Sequence, residues 1–414
     1  MADTAGTAET SSPPAGRDTA VGLPPLLPLA VVVGIAPLAT DMYIPALPAI
    51  AADLGTSTSA VQLSLTAFLV AFAVGQLLIG PISDAVGRRP LLLAGTTTFA
   101  VASVVCALAP DPVTLVVARL LQGLAGAAGS VVGRAVVTDV LQGAARARTI
   151  SSLAAINALG PVLAPLLGAA LLLVGEWRLM FVALACLGLV LAASVKFTFH
   201  ETLPPHRRAS GVGLRASAAR MGTLLRIPRF SAYLVTSCCA TAGFFAYIAT
   251  SSFVFQSQFG FSEPAYTLVF ATNASCMIAS TLVFRRLVRR HDEDVLLSIG
   301  LGVAAVGSLG VLTAALLGAG PGPVWACLAV VTGAWGFVIT GSATRTQALG
   351  QALPGTAAAL QGGLAFGVGG LGTPLAGALG GTAVAMGAVM ASGLSVAVVI
   401  QLVATRLAAR AHRG

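Results

Sequence analysis

The strongest constraint on this chain is a succession of apolar runs, each about as long as a helix needs to cross a bilayer. Roughly 20 apolar residues suffice. Such runs lie near 24–47, 60–82, 90–109, 112–134, 151–174 and 178–199, then near 229–255, 264–284, 294–318, 323–344, 354–379 and 381–405. The chain is 57% apolar and only 9% charged, whereas soluble domains carry about 25% charged residues. A surface so poor in charge needs lipid as its solvent. The expected class is an all-α polytopic membrane protein of twelve spans in two sets of six.

The arginines orient these spans. With the N-terminus inside, Arg88, Arg89, Arg146, Arg148, Arg207, Arg208, Arg215, Arg220 and Arg226 fall in cytoplasmic loops. So do Arg285, Arg286, Arg289, Arg290, Arg345, Arg406, Arg410 and Arg413. Outside there is only Arg178, beside the acids Asp53, Asp111, Glu176 and Glu263. This is the positive-inside pattern, and both termini are expected in the cytoplasm. The expected division is a disordered tail over 1–22, a six-helix bundle over 23–199, a cytoplasmic linker over 200–228, a second bundle over 229–405 and a tail over 406–414. The two bundles echo each other faintly, as in transporters built from repeated six-helix units.

Several functional classes drop out. The net charge of +9 sits in short clusters between apolar spans, which suits topology and anionic lipid headgroups rather than nucleic acid. Cys106, Cys186, Cys238, Cys239, Cys276 and Cys327 all lie in apolar segments without metal-ligand spacing. The four histidines sit at span ends or in loops, so no metal or other cofactor is expected. The N-terminal residues lack the basic start and apolar core of a signal peptide. No GxxxxGK[ST] loop occurs, which excludes an ATP-driven pump within this chain.

Charges in the middle of spans carry the chemistry, since each costs about 2.5–3.5 kcal/mol at a helix centre on insertion scales. Asp41 in the first span and Arg119 in the fourth stand out. At 1.5 Å per residue both lie roughly 9–11 Å below the outer surface. If their helices face one cavity they can pair, offsetting the cost of desolvation. A carboxyl alone in a span can carry a proton, whereas an arginine stays charged and can only tune or gate. A static pair that merely orients two helices is the plainer alternative.

Several segments resemble one known family. Leu38 to Pro48, around Asp41, is similar to the first-span signature of the Bcr/CflA subfamily of drug:proton antiporters in the major facilitator superfamily. Gly80 to Pro90 resembles the superfamily's loop between spans two and three. Arg119 to Gly123 is similar to its span-four motif associated with proton coupling, and Gly160 to Gly168 to the antiporter motif of span five. Glu176-Trp177-Arg178 with Phe181, Glu201 to Pro204 and Phe245 to Ala249 also fit. The resemblance implies a major facilitator fold of 12 transmembrane helices that moves its cargo by alternating access.

Each motif also has a physical reading. In the loop, Gly80 and Gly87 permit a tight turn and close helix approach. Asp84 can cap a neighbouring helix, and Arg88 with Arg89 can pair across the interface between the bundles. The resemblance implies that this network gates by locking the outward-facing state; many relatives carry Arg where this chain has Ala85. Gly160, Pro161, Pro165 and Gly168 would kink a helix and let a neighbour approach. The resemblance implies that this helix seals the cavity against leak.

Tyr43, Gln76, Gln122, Phe245, Tyr247, Phe253 and Asn273 are the expected substrate-binding residues. They are aromatic faces and uncharged hydrogen-bonding groups within apolar spans. Arg134, near the inner end of span four, is expected to serve the cytoplasmic interface. The expected function is proton-coupled efflux of a lipophilic small-molecule drug or antibiotic, chloramphenicol-like by resemblance, by a monomer. Export of an endogenous amino acid or sugar is the alternative. Heavy use of Ala, Gly, Val and Arg with a single lysine, Lys196, suggests a GC-rich bacterial source and a place in the cytoplasmic membrane.

Overall fold

Local chemistry starts the helices where the apolar runs begin. The computed structural model describes residues 25–157 and 160–411. The expected tail over 1–22 lies outside the described residues. The first span is α1 (Leu26–Asp41), a 3-10 turn (Ile44–Ala46) and the short α2 (Leu47–Asp53). Then come α3 (Thr58–Val86), α4 (Arg88–Ala107), α5 (Pro112–Val140), α6 (Gly143–Asn157), α7 (Gly160–Val174) and α8 (Arg178–Thr198). Ser57 caps α3 by accepting from the Ala60 amide, and Asp111 caps α5 by accepting from the Val113 and Thr114 amides. The backbone and hydroxyl hydrogen bonds from Thr114 hold the Asp111 carboxyl below its usual range. Proline opens α5 at a position where no amide is needed.

The linker is not a bare loop. It contains a 3-10 turn (Pro205–Arg207) and α9 (Leu214–Leu225). Leu224 of α9 is buried in a small cluster with Phe230 and Leu234, which the polar composition of 200–228 concealed. The second bundle follows as α10 (Pro228–Ser252), α11 (Glu263–Leu287), α12 (Glu293–Leu316), α13 (Pro321–Leu349), α14 (Pro354–Ala378) and α15 (Ala383–Ala411). A π-helical turn (Phe253–Gln258) extends α10. Because α15 runs on to Ala411, the tail expected over 406–414 begins as helix; residues 412–414 lie outside the described residues.

Among the described residues, ten helices are long and apolar enough to cross a membrane. The other two expected spans depart from this pattern. The fifth is two helices of 15 residues each, α6 and α7, on either side of 158–159. The eleventh, α14, has 25 residues, but its many glycines dilute its hydropathy.

The helices sort into two bundles, which meet where α3 packs against α14 and α7 against α11. Lipid is as apolar as leucine, so close backbone approach rather than hydrophobic exclusion holds such helices together. Gly123 of α5 shows this: a Cβ there would run into the Phe68 carbonyl of α3. Gly372 of α14 meets the Ala242 backbone of α10 in the same way.

Candidate functional site

Between the bundles lies a cavity of about 560 Å³, within the range of small-molecule sites. Its lining runs from Asp41 and Asn273 near mid-membrane to Arg134, Ile150, Leu153 and Ala343 toward the face that the arginines assign to the cytoplasm. The opposite end is sealed. Gln62 of α3 donates through Nε2 to the Ala249 carbonyl at 3.0 Å and to the Thr250 hydroxyl at 3.2 Å. Thr66 donates to the Gly370 carbonyl at 2.9 Å and meets the Thr373 hydroxyl. The π turn aims Gln256 so that its Nε2 donates to the Pro45 carbonyl at 3.0 Å. The cavity is therefore closed outward and faces the cytoplasm.

Asp41 is the only carboxylate on the cavity wall among the described residues. It ends α1, and the Thr40 hydroxyl lies 3.2 Å from its Oδ1. The expected pair with Arg119 does not form. Arg119 lies fully buried behind α1, where Nη1 donates to the Ala39 carbonyl at 3.2 Å and to Gln122 Oε1 at 2.6 Å. Its guanidinium sits 4.3 Å from the Phe68 ring centre and 4.8 Å from that of Tyr43. Ala39 and Asp41 are two residues apart, so they point about 200° apart around the helix. Equal depth did not mean equal direction. Arg119 is thus held by aromatic faces and neutral acceptors, with Nε and Nη2 unpartnered among the described residues.

Of the residues expected to bind substrate, Gln76, Phe245, Tyr247 and Asn273 line the cavity. Tyr43, Gln122 and Phe253 do not. The turn after Asp41 buries Tyr43, whose hydroxyl lies 2.7 Å from the Ser64 hydroxyl. Gln122 faces α4 and donates to the Ser103 hydroxyl at 2.7 Å. Phe253 belongs to the π turn at the sealed end and is buried there.

The wall holds further aromatics that sequence patterning missed. Phe244 and Trp335 stack with ring centres 4.0 Å apart and planes within 5°. Phe366 packs between Phe72 and Phe245, at 5.6 and 5.7 Å. Nothing in a uniformly apolar span marks which aromatic faces inward. Gln361 could have been found, because it is a polar side chain within an apolar span just as Gln76 is. Its Nε2 donates to the Ser237 hydroxyl at 2.7 Å. Asn273 donates through Nδ2 to the Tyr247 hydroxyl at 3.1 Å. The remaining oxygens of Asn273 and Gln361 have no donor among the described residues.

The loop from Gly80 to Arg89 forms a network, with other partners than expected. Gly87 turns the chain at φ +112°, a conformation that L side chains rarely adopt. Arg88 bridges Asp84 at 2.7 Å and Asp139 of α5 at 2.9 Å, and also contacts Ser83. Arg89 donates to the Lys196 carbonyl at 2.6 Å. Neither arginine reaches the second bundle. Asp84 does not cap α4; Glu201 does, accepting from the amides of Arg88 at 2.9 Å and Arg89 at 3.3 Å. The linker straps down over the loop, with the Ala209 amide donating to the Asp84 carbonyl at 2.9 Å.

In the segment from Gly160 to Gly168, expected as an antiporter motif, Pro165 is buried, and a Cβ on Gly168 would strike the Met42 carbonyl. Gly160 lies in ordinary contact range of Pro37. The side chain of Pro161 lies outside the described residues. These small residues let α7 pack against the end of α1, next to Asp41.

Comparison with known proteins agrees with this architecture. Residues 29–376 match the family model described as Major Facilitator Superfamily. The chain is 36% identical over 380 residues to an uncharacterized MFS-type transporter, YdgK, of Bacillus subtilis, covering 91% of this chain and 93% of that one. It is 32% identical over 278 residues to a chloramphenicol resistance protein of Pseudomonas aeruginosa, covering 66% and 64%. It is 27% identical over 346 residues to a bicyclomycin resistance protein homolog of Haemophilus influenzae, covering 83% and 86%. Among solved structures, a mutant form of the nucleoside transporter NupG superposes with a TM-score of 0.71 at 12% identity, covering 92% of this chain and 98% of that one.

Proposed function

The chain belongs to the Major Facilitator Superfamily and is a multi-pass transporter of the bacterial cytoplasmic membrane; from that premise we propose that it exports lipophilic aromatic drugs in exchange for protons, in the manner of the Bcr/CflA antiporters. The observation that carries this reading is the lone carboxylate, Asp41, at the blind end of a cavity whose wall is mostly aromatic and apolar. A flat lipophilic molecule enters from the cytoplasm and rests against Phe244, Trp335 and Phe366. While the cavity is open to the cytoplasm, Asp41 releases its proton to that side. The bundles then rock, the seal at Gln62, Thr66 and Gln256 opens, and cargo leaves outward. Outside, Asp41 takes up a proton and the empty carrier returns.

Arg119 acts through α1 rather than on the cargo, because its bond to the Ala39 carbonyl fixes the helix two residues before Asp41. A single chain encloses the whole cavity, so the cycle needs no second copy. The names of the chloramphenicol and bicyclomycin resistance relatives support an antibiotic as cargo. The stacked aromatic faces that dominate the wall favour a flat ring system over a sugar or a free amino acid.

Proteoliposomes with an imposed proton gradient test the reading, with radiolabelled chloramphenicol as cargo. Wild type should accumulate it in a gradient-dependent way, and Asp41→Asn should not. Undiminished gradient-driven flux in Asp41→Asn would remove Asp41 as the proton carrier.

A further inference from the structure

We propose that Arg134 makes the cytoplasmic end of the cavity a site for an anionic group, so that planar aromatic carboxylates are preferred cargo; this rests on the export reading above. Arg134 is on the cavity wall, and its residue is exposed to that space rather than packed away. Its guanidinium turns back along α5, with Nε donating to the Ser130 carbonyl at 2.9 Å and Nη2 to the Ser130 hydroxyl at 3.0 Å. Both acceptors are neutral and lie one helical turn away. No carboxylate pairs with it among the described residues, whereas Arg88, Arg178, Arg208 and Arg345 all have acidic partners.

A guanidinium has five N–H donors in a planar fork that matches a carboxylate. Two are used by Ser130, and the rest have no acceptor among the described residues. The surroundings raise the value of such a partner. Val33, Ile150 and Leu153 line the same end of the cavity and supply no counter-charge. An uncompensated charge in an apolar cleft attracts an anion more strongly than one in bulk water.

Position selects the shape of the ligand. At 1.5 Å per residue, the Arg134 backbone lies about 22 Å nearer the cytoplasm than that of Arg119, and its guanidinium, turned back to Ser130, about 16 Å nearer. The stacked Phe244 and Trp335 and the Phe366 group line the cavity between these ends. A flat ring system of drug size with its acidic group at Arg134 rests its neutral end against these aromatic faces.

Equilibrium binding to purified protein tests this without any gradient. The probes are nalidixic acid and its methyl ester, which share a ring system and differ in charge. Quenching of the protein's tryptophan fluorescence reports occupancy, since Trp335 is on the cavity wall. Wild type should bind the acid at least tenfold more tightly than the ester. Arg134→Ala and Arg134→Gln should weaken the acid about tenfold and leave the ester within about twofold, which also shows that the cavity is intact. Arg134→Lys should restore part of the preference as a point charge. Equal affinity of wild type for acid and ester overturns the proposal. So does equal loss of both probes in Arg134→Ala and Arg134→Gln, or failure of wild type to bind either. An acid preference that survives while proton-driven flux is absent would refute the export reading alone.

Discussion

The sealed outer end offers a direct way to move this protein between its two states. Gln62→Ala removes a fully buried side chain whose Nε2 donates to the Ala249 carbonyl and the Thr250 hydroxyl of the opposite bundle. A hydrogen bond contributes about 0.5–1.5 kcal/mol net, and a buried acceptor left without its donor costs more. In the sealed state the substitution strands the Ala249 carbonyl, whereas in the outward-open state water reaches it. The cost therefore falls on one state only. Two bonds give about 2 kcal/mol, close to a thirtyfold shift toward the outward-open form. Spin labels at Ala52 and Ser257, both exposed at this end, in a cysteine-free background would report it by electron paramagnetic resonance. The long-distance population should grow in Gln62→Ala and grow further when Thr66→Ala is added. An unchanged distance distribution in the double variant would refute the assignment of these bonds as the outer seal.

Two further outcomes follow from the packing. Gly123→Val should lower the midpoint of thermal unfolding and the yield, because its Cβ meets the Phe68 carbonyl and forces α3 from α5. Overpacking of this kind costs about 1–3 kcal/mol, and an unaltered unfolding midpoint would contradict the close approach. Glu201→Ala should speed hydrogen exchange at the Arg88 and Arg89 amides about fivefold, since loss of a helix cap costs roughly 1 kcal/mol. Unchanged exchange there would show that the linker does not hold the loop between α3 and α4.

Much of the site could be read before any coordinates, and the misses have a common cause. Asp41 and Arg119 stood out because a charge in an apolar span is costly wherever it points. Gln76 and Asn273 stood out for the weaker form of the same reason, and Gln361 met the test as well. Gln122 met it too, and Tyr43 and Phe253 were expected as aromatic faces, yet all three turn into a bundle core or the outer seal. Residue type marks a side chain as unusual for its span; it does not say which face of the span it occupies. Arg134 shows the converse, since its place near the cytoplasmic end concealed that its side chain lines the cavity.

Sequence alone determined the solvent, the length of the spans and their orientation, because hydropathy and the arginine pattern act locally along the chain. Each span can be judged without its neighbours. Only the tertiary structure decided that Asp41 faces the cavity while Arg119 lies behind the same helix. It also decided that Arg88 is held by Asp139 and the start of α4 by Glu201, and that α3 seals against α10 and α14. In a soluble helix an apolar stripe tells inside from outside. Here both lipid and protein interior are apolar, so the period of the sequence carries little direction. Direction comes from close contacts such as that of Gly123 with Phe68, and these exist only once the helices are packed.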